Sequence, residues 1–514
     1  MRSVAAPSPE TIPRSRRELS PGVRFAVLAG IMAAGAVLRF LYLTRKSFWL
    51  DEGVSVTLSR LDLPNLLHIF WRREANMALY YFLLRIWLHF GSGDYFVRAL
   101  SAVISLAAIP AIYLLGKRLF NPATGLLAAA LFSVHAWQVR YAQEARSYSL
   151  YVLLTALSCL FLLAALRKPT RRNWAAYVAA SVLAIYSHFF SLLVIVAQSA
   201  AVYFLACDER ALPQFRRSLK MIALLFLPLA VFIASRGAGP ISWITRPGFG
   251  GLHRFLLDLS GNGGDVLLLS YIAFAAVAVA GRGWTHGRRM PFDSWRYLFL
   301  LGWLCVPVAV TLAFSMLRPV FLPRYLLACV APLVLLAASG LTRLRPRWVA
   351  AIVLAGMLAL SVRGTMAYYR ADFDLGREDW RAATQFILSH SQPEDGILFH
   401  SAQARMPFEY YAQGKPARRE VRVIFPAYAG AEKLSYLDFL ANAKNASLAA
   451  IPRHYRRVWL VLAHNRIKDG QPDSTTATLE RFLAQTYGLA QRREFEGDVE
   501  ICLYAARQAP GFTP

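Results

Sequence analysis

Two adjacent carboxylates, Asp51 and Glu52 in Trp49-Leu50-Asp51-Glu52, stand directly after the first long apolar run of the chain. Carboxylates placed so close to a membrane-length segment serve chemistry or ion pairing. Further candidates follow at wide intervals: Gln143, Glu144 and Arg146 in Arg140-Tyr141-Ala142-Gln143-Glu144-Ala145-Arg146-Ser147-Tyr148, His188 in Tyr186-Ser187-His188-Phe189-Phe190, and Arg324 with Tyr325 after Pro323. A carboxylate can act as a general base, arginines receive phosphate through paired hydrogen bonds, and a histidine can bind phosphate or help hold a metal. Each has a plainer reading. Asp51 could pair with Arg39 or Arg45, Arg140 and Glu144 stand four apart as in a helix-surface ion pair, the arginines could snorkel to lipid headgroups, and His188 could be a satisfied interfacial residue.

The elements that must position these residues are membrane helices. The chain has 514 residues, 56% of them hydrophobic and 17% charged, a composition foreign to a globular cytosolic enzyme. Crossing a bilayer takes roughly 17–25 mostly apolar residues. Eleven such runs are predicted, near 25–43, 97–116, 122–139, 148–166, 174–190, 191–206, 219–235, 264–281, 297–316, 323–341 and 348–366. Arg39 lies inside the first, where an ionisable group needs a partner or a wet cavity; a first-loop carboxylate is the expected partner.

The net charge of +27 is a topology signal and not a nucleic-acid footprint, because the basic residues sit in short clusters between the apolar runs. With the amino terminus inside, the cytoplasmic connections hold Arg14, Arg16, Arg17 and Arg24, then Lys117 and Arg118, then Arg167, Lys168, Arg171 and Arg172. Later ones hold Arg210, Arg216, Arg217 and Lys220, then Arg282, Arg288, Arg289 and Arg296, then Arg343, Arg345 and Arg347. The alternate connections after the first loop hold fewer, which satisfies the positive-inside rule. Under this orientation Asp51, Glu52, Gln143, Glu144, Arg146, His188 and Arg324 all fall on the external side. Five cysteines without metal-ligand spacing read as packing residues.

Three regions follow: a disordered cytoplasmic tail over 1–24, a transmembrane core over 25–366, and an extracytoplasmic α/β domain over 367–514. The core includes a loop over 44–96, too long to be a plain connection. Within it, Leu63 to Glu74 and Leu79 to Phe90 suit helices lying on the membrane surface. The last region holds strand-like segments at 396–399, 421–425 and 458–462 and helical ones at 378–389 and 476–485. No phosphate loop or nucleophile motif marks it. It reads as a cover over the core, with Phe408, Tyr410 and Tyr411 as candidate sugar or lipid contacts against a plainer packing role.

The Asp-Glu pair, the Gln143-Glu144-Ala145-Arg146 segment, Tyr186-Ser187-His188, Pro323-Arg324-Tyr325 and Arg377-Glu378-Asp379-Trp380 together resemble the GT-C membrane glycosyltransferases. The likeness is to the bacterial family 39-type branch, which includes protein O-mannosyltransferases and lipid A aminoarabinose transferases. One departure is Asn76-Met77-Ala78-Leu79-Tyr80-Tyr81, where many relatives carry a Pro-Pro pair. The resemblance implies a multi-span α-helical GT-C core in a bacterial inner membrane. It further implies transfer of a sugar, with inversion, from a polyprenyl-phosphate donor to a glycan, lipid or protein acceptor hydroxyl on the extracytoplasmic side. Asp51 would be the general base and Glu52 a supporting residue that orients the loop or binds a cation. Glu144, Arg146, His188, Arg324 and Tyr325 would bind the donor phosphate or substrate. A divalent cation is the one cofactor left open, since members of the superfamily differ in using one. The leading rival is a polytopic lipid or glycan flippase without covalent transfer, but such a protein should show midplane charges and internal repeats; a scaffold protein gives no reason for Asp51 and Glu52.

Overall fold

The computed structural model describes residues 20–72, 74–205, 211–236, 244, 246–280, 290–371, 377–426, 448–465 and 471–507. Most of the predicted tail, along with Arg210, Cys207, Arg282, Arg288 and Arg289, lies outside them. Within the described residues each of the eleven predicted apolar runs contains helix: α1 (Pro21–Phe40), α5 (Asp94–Leu119), α6 (Pro122–Ser133) with α7 (Ala136–Ala142), α8 (Tyr148–Arg167), α9 (Arg171–Ser187), α10 (Ser191–Tyr203), α11 (Ala211–Arg236), α13 (Asp265–Val279), α14 (Phe292–Leu317), α15 (Val330–Leu341) and α16 (Arg347–Arg370). Among the described residues 7 segments are long and apolar enough to cross a membrane, one of them joining α15 to the 3-10 turn Pro323–Cys329; the count reaches 8 if α12 (Phe249–Ser260) and α13, bent by 70°, form one span. The other runs are shorter, and the third breaks between α6 and α7.

Local signals fix several helix starts. Ser20 Oγ accepts the Val23 N–H before Pro21, Asn121 Oδ1 accepts the Thr124 N–H before Pro122, and Thr170 Oγ1 accepts the Asn173 N–H, so polar caps meet helix-starting prolines. Inside the bundle α5 and α6 touch backbone to backbone at Gly116 and Gly125. A Cβ on Gly116 would lie 2.6 Å from the Gly125 Cα, the close approach that small residues permit between membrane helices. Arg39 is fully buried at the end of α1. Its partners are Ser105 Oγ at 2.9 Å and the carbonyls of Gly35 and Ser133 at 3.0 and 2.7 Å, not the expected first-loop carboxylate, because α5 and α6 pack closer to it than the loop does.

The two ends of the bundle differ in charge. At one end Arg118 donates to the Leu160 carbonyl, Arg167 to that of Arg118, Arg296 to that of Leu119 and Arg343 to that of Ala280, so basic clusters cap the carbonyl ends of α5, α8 and α13. The opposite end carries Asp51, Glu52, Arg98, Arg146, His188 and Arg324. There the first loop folds into α2 (Leu50–Arg60), α3 (Leu63–Arg72) and α4 (Ala78–Trp87). The two helical stretches predicted in this loop correspond to α3 and α4, on which Leu63, Leu67, Trp71, Phe82 and Ile86 are exposed.

The carboxy-terminal unit is a 5-stranded sheet in the order β2-β1-β3-β5-β4, formed by β1 (Gly396–Phe399), β2 (Arg422–Phe425), β3 (Arg457–Ala463), β4 (Tyr487–Phe495) and β5 (Val499–Ala506). β1 pairs parallel with β2 and β3, and β5 pairs antiparallel with β3 and β4. Helices α17 (Trp380–His390), α18 (Arg405–Ala412) and α19 (Ser474–Thr486) complete it. The sequence reading found the first three strands, α17 and α19 but not the β4–β5 hairpin. Its turn is marked by Gly497 and Asp498 at φ 77° and 60°, a local Gly-Asp signal that could have revealed it.

Candidate functional site

Asp51 occupies the first turn of α2, a helix whose amino-terminal residue, Trp49, supplies no side-chain cap. Glu378, from the carboxy-terminal unit, accepts the Leu50 N–H at 3.0 Å and satisfies one of the orphaned donors there. Gly53 permits the second attachment. A Cβ at Gly53 would lie 2.9 Å from the Pro407 backbone nitrogen, so α18 can rest directly on α2. Tyr410 and Tyr411 donate to the two oxygens of Asp94 at 3.0 and 3.1 Å, and Tyr411 Oη accepts the Phe48 N–H at 2.7 Å. These tyrosines join the two units. Phe408 packs on Phe399 within the sheet unit.

The two carboxylates of the pair have different surroundings. Glu52 is fully buried in a fork with Arg98, at 2.8 Å from Nε and 2.5 Å from Nη2, and also accepts the Ala145 N–H at 2.8 Å. Arg98 spends its remaining donors on the carbonyls of Leu43, Lys46 and Ser47. This network ties the first loop to the α7–α8 turn. Asp51 keeps 27% of its side chain exposed and faces two guanidiniums, Arg146 Nη2 at 3.3 Å and Arg324 Nη2 at 3.8 Å. Its partners are therefore neither Arg39 nor Arg45.

Arg146 Nη1 also lies 3.4 Å from both Ser55 Oγ and Tyr81 Oη. His188 is buried beneath the arginine pair, its ring 5.1 Å from Tyr151 and 4.7 Å from Tyr325, with Nδ1 accepting the Phe190 N–H and Nε2 lacking a partner. Glu144 lies beyond the end of α7, so the helix-surface pair with Arg140 is not its main contact. It is buried and paired with Arg377, and among the described residues its second oxygen has no hydrogen-bond partner. Gln143 donates to the Arg39 and Leu41 carbonyls, closing the end of α1. The structure thus collects Asp51, Arg146, Arg324, His188 and Tyr325 in one pocket, with Glu52, Gln143 and Glu144 in the wall that holds it.

Sequence reasoning missed several wall residues. Trp49 lies between Arg324 and Arg377, whose guanidinium carbons are 5.3 and 4.7 Å from its ring. Arg98 carries no motif, and nothing in its local sequence marks the burial it has near the start of α5. Glu74, in the connection between α3 and α4, lies near enough to feel the charges of Arg146 and Asp51. The site carboxylates Asp51, Glu52 and Glu144 are each held by arginine, a donor set already neutralised and ill matched to a divalent cation. Elsewhere among the described residues, Glu480, Glu500 and Cys502 lie close enough to share an ion, but Arg492 pairs with both glutamates.

Residues 77–235 match the family profile of dolichyl-phosphate-mannose-protein mannosyltransferase. No curated protein sequence matches the chain. Among solved structures, ArnT from Cupriavidus metallidurans in the apo state is similar over 94% of this chain and 98% of that one, at 13% identity and a TM-score of 0.59. The same protein bound to undecaprenyl phosphate matches at 12% identity and a TM-score of 0.59, over 94% and 98% of the two chains. The oligosaccharyltransferase of Archaeoglobus fulgidus, in complex with zinc and sulfate, matches at 13% identity and a TM-score of 0.54, over 93% of this chain and 73% of that one. The chain is a multi-pass membrane protein with the ArnT-like GT-C fold, and its residues 77–235 carry the pattern of the mannosyltransferase family.

Proposed function

We propose that the protein transfers a sugar from a polyprenyl-phosphate donor to an acceptor hydroxyl, with inversion and with Asp51 as general base. The observation that carries this reading is a partly exposed carboxylate within 4 Å of two guanidiniums, at the bundle end opposite the basic clusters. In the reaction the acceptor oxygen attacks the anomeric carbon as its proton passes to Asp51, and the bond to phosphate breaks with its electron pair remaining on phosphate. Arg146 and Arg324 receive that charge. His188 Nε2 offers a further hydrogen bond from the pocket floor. A second carboxylic acid is not needed for the leaving group, because the departing phosphate is already a stable anion.

The positive-inside rule supports a cytoplasmic basic end and an external pocket. A lipid-linked donor fits this side: its prenyl chain stays in the bilayer while its phosphate rises to the interface, whereas soluble sugar nucleotides are cytoplasmic. The resemblance to the bacterial branch supports an inner-membrane location. The test is purified protein in liposomes supplied with radiolabelled polyprenyl-phosphate sugars and membrane extract as acceptor. Label on a new molecule supports transfer; label that only changes leaflet supports a flippase and overturns the proposal.

A further inference from the structure

We propose that Trp49 is a positioning residue of the phosphate site: its indole is the platform that keeps the Arg324 guanidinium at the pocket, and Arg377 braces that platform from the carboxy-terminal unit. The inference rests on the reading above in one respect, that Arg324 receives the donor phosphate.

Trp49 is the residue before α2, extended at φ −95° and ψ 174°, and its side chain is buried. Its backbone is held on both sides. The Leu50 N–H donates to Glu378 at 3.0 Å, and the N–H groups of Glu52 and Gly53 return to the Trp49 carbonyl at 3.0 and 3.1 Å. Over the ring stand two guanidiniums, Arg377 at 4.7 Å and Arg324 at 5.3 Å from its centre, both inside the roughly 6 Å at which a cation is drawn to an aromatic face. Arg377 is itself fixed. It is paired with the buried Glu144, and the β4–β5 turn pins its backbone: a Cβ on Gly497 would collide with the Arg377 carbonyl, and the Asp379 N–H donates to the Glu496 carbonyl at 3.0 Å. Among the described residues the indole Nε1–H has no hydrogen-bond partner, so the ring is held by its backbone anchor, its packing and its faces.

The two arginines over the ring carry their charge differently. Arg377 has Glu144 against it, whereas Arg324 Nη2 stands 3.8 Å from Asp51, beyond hydrogen-bond length. This difference bears on transfer. A carboxylate hydrogen-bonded to Arg324 would compete with the phosphate for it, and Asp51 loses its charge when it takes the acceptor proton, at the step in which the phosphate departs. An aromatic face attracts the guanidinium without neutralising it and does not depend on the protonation of Asp51. Arg324 thus keeps both its place and its charge as the phosphate leaves. Arg146 has polar neighbours instead, Ser55 and Tyr81, so the two phosphate-receiving arginines are positioned by different means.

The test is binding of undecaprenyl phosphate to the full-length protein in nanodiscs, with the tryptophan at position 49 replaced by its mono-, di- and trifluorinated forms, which weaken the pull of the ring face and nearly preserve its shape. Affinity is expected to fall stepwise along the series at an unchanged melting temperature, and to fall about 5- to 30-fold in Trp49→Leu. In an Arg324→Gln background the fluorinated series should have no effect, because the group that the ring positions is gone. An affinity that stays flat along the series, or a fall of the same size without Arg324, overturns the role of Trp49 while the transfer reading stands. A wild type that does not bind undecaprenyl phosphate overturns the phosphate reading of Arg324, and this inference with it.

Discussion

The division of labour between Asp51 and Glu52 follows from what each oxygen touches. Glu52 is enclosed with Arg98, and breaking a buried pair by removing one partner typically costs about 3–5 kcal/mol. Glu52→Gln and Arg98→Met are each expected to lower the melting temperature in detergent sharply, a loss that thermal unfolding would detect. Arg324→Gln should leave the fold intact but weaken binding of undecaprenyl phosphate by roughly 10- to 100-fold, since hydrogen bonds to charged groups contribute about 1.5–3 kcal/mol; unchanged affinity in a titration would remove Arg324 from the phosphate site. At this scale the sequence disclosed the motif residues, because a carboxylate pair beside an apolar run is conspicuous. Arg98, Trp49 and Glu74 were hidden, since their positions depend on how the first loop folds back and no local spacing records that path.

Helix α2 is the element on which the account turns, and the carboxy-terminal unit holds it. Glu378 joins the Leu50 N–H to His464, and its hydrogen bond raises the His464 pKa above the ordinary 6.5, against an opposing effect of burial. A histidine raised in this way contributes stability that is fully present below its unfolded value and is lost as pH rises through the folded one. The exchange protection of α2, corrected for the intrinsic base-catalysed rate, should therefore fall as the solution is made alkaline through that range, and His464→Ala should abolish that fall. Gly53→Val should loosen α2 at every pH, because its side chain would collide with Pro407. The Arg377-Glu378 segment was legible as the start of a domain. Its grip on α2 was not, because that contact spans more than three hundred residues of chain.

Across the whole molecule, alternating charge read from the sequence and helix packing read from the structure agree on two opposed ends. Apolar periodicity revealed the long helices but not α12, and hydropathy does not see that α6 and α7 break or that α12 and α13 bend by 70°. Cysteines introduced at Lys168 and Ser391 test the orientation: a membrane-impermeant thiol reagent added to intact cells should label the second and spare the first. The central claim is tested most directly by comparing the wild type and Asp51→Asn at equal occupancy by undecaprenyl-phosphate sugar. The account requires sugar transfer by the wild type, with the variant binding donor normally but turning over about 10²- to 10⁴-fold more slowly; transfer at the wild-type rate by Asp51→Asn would contradict it.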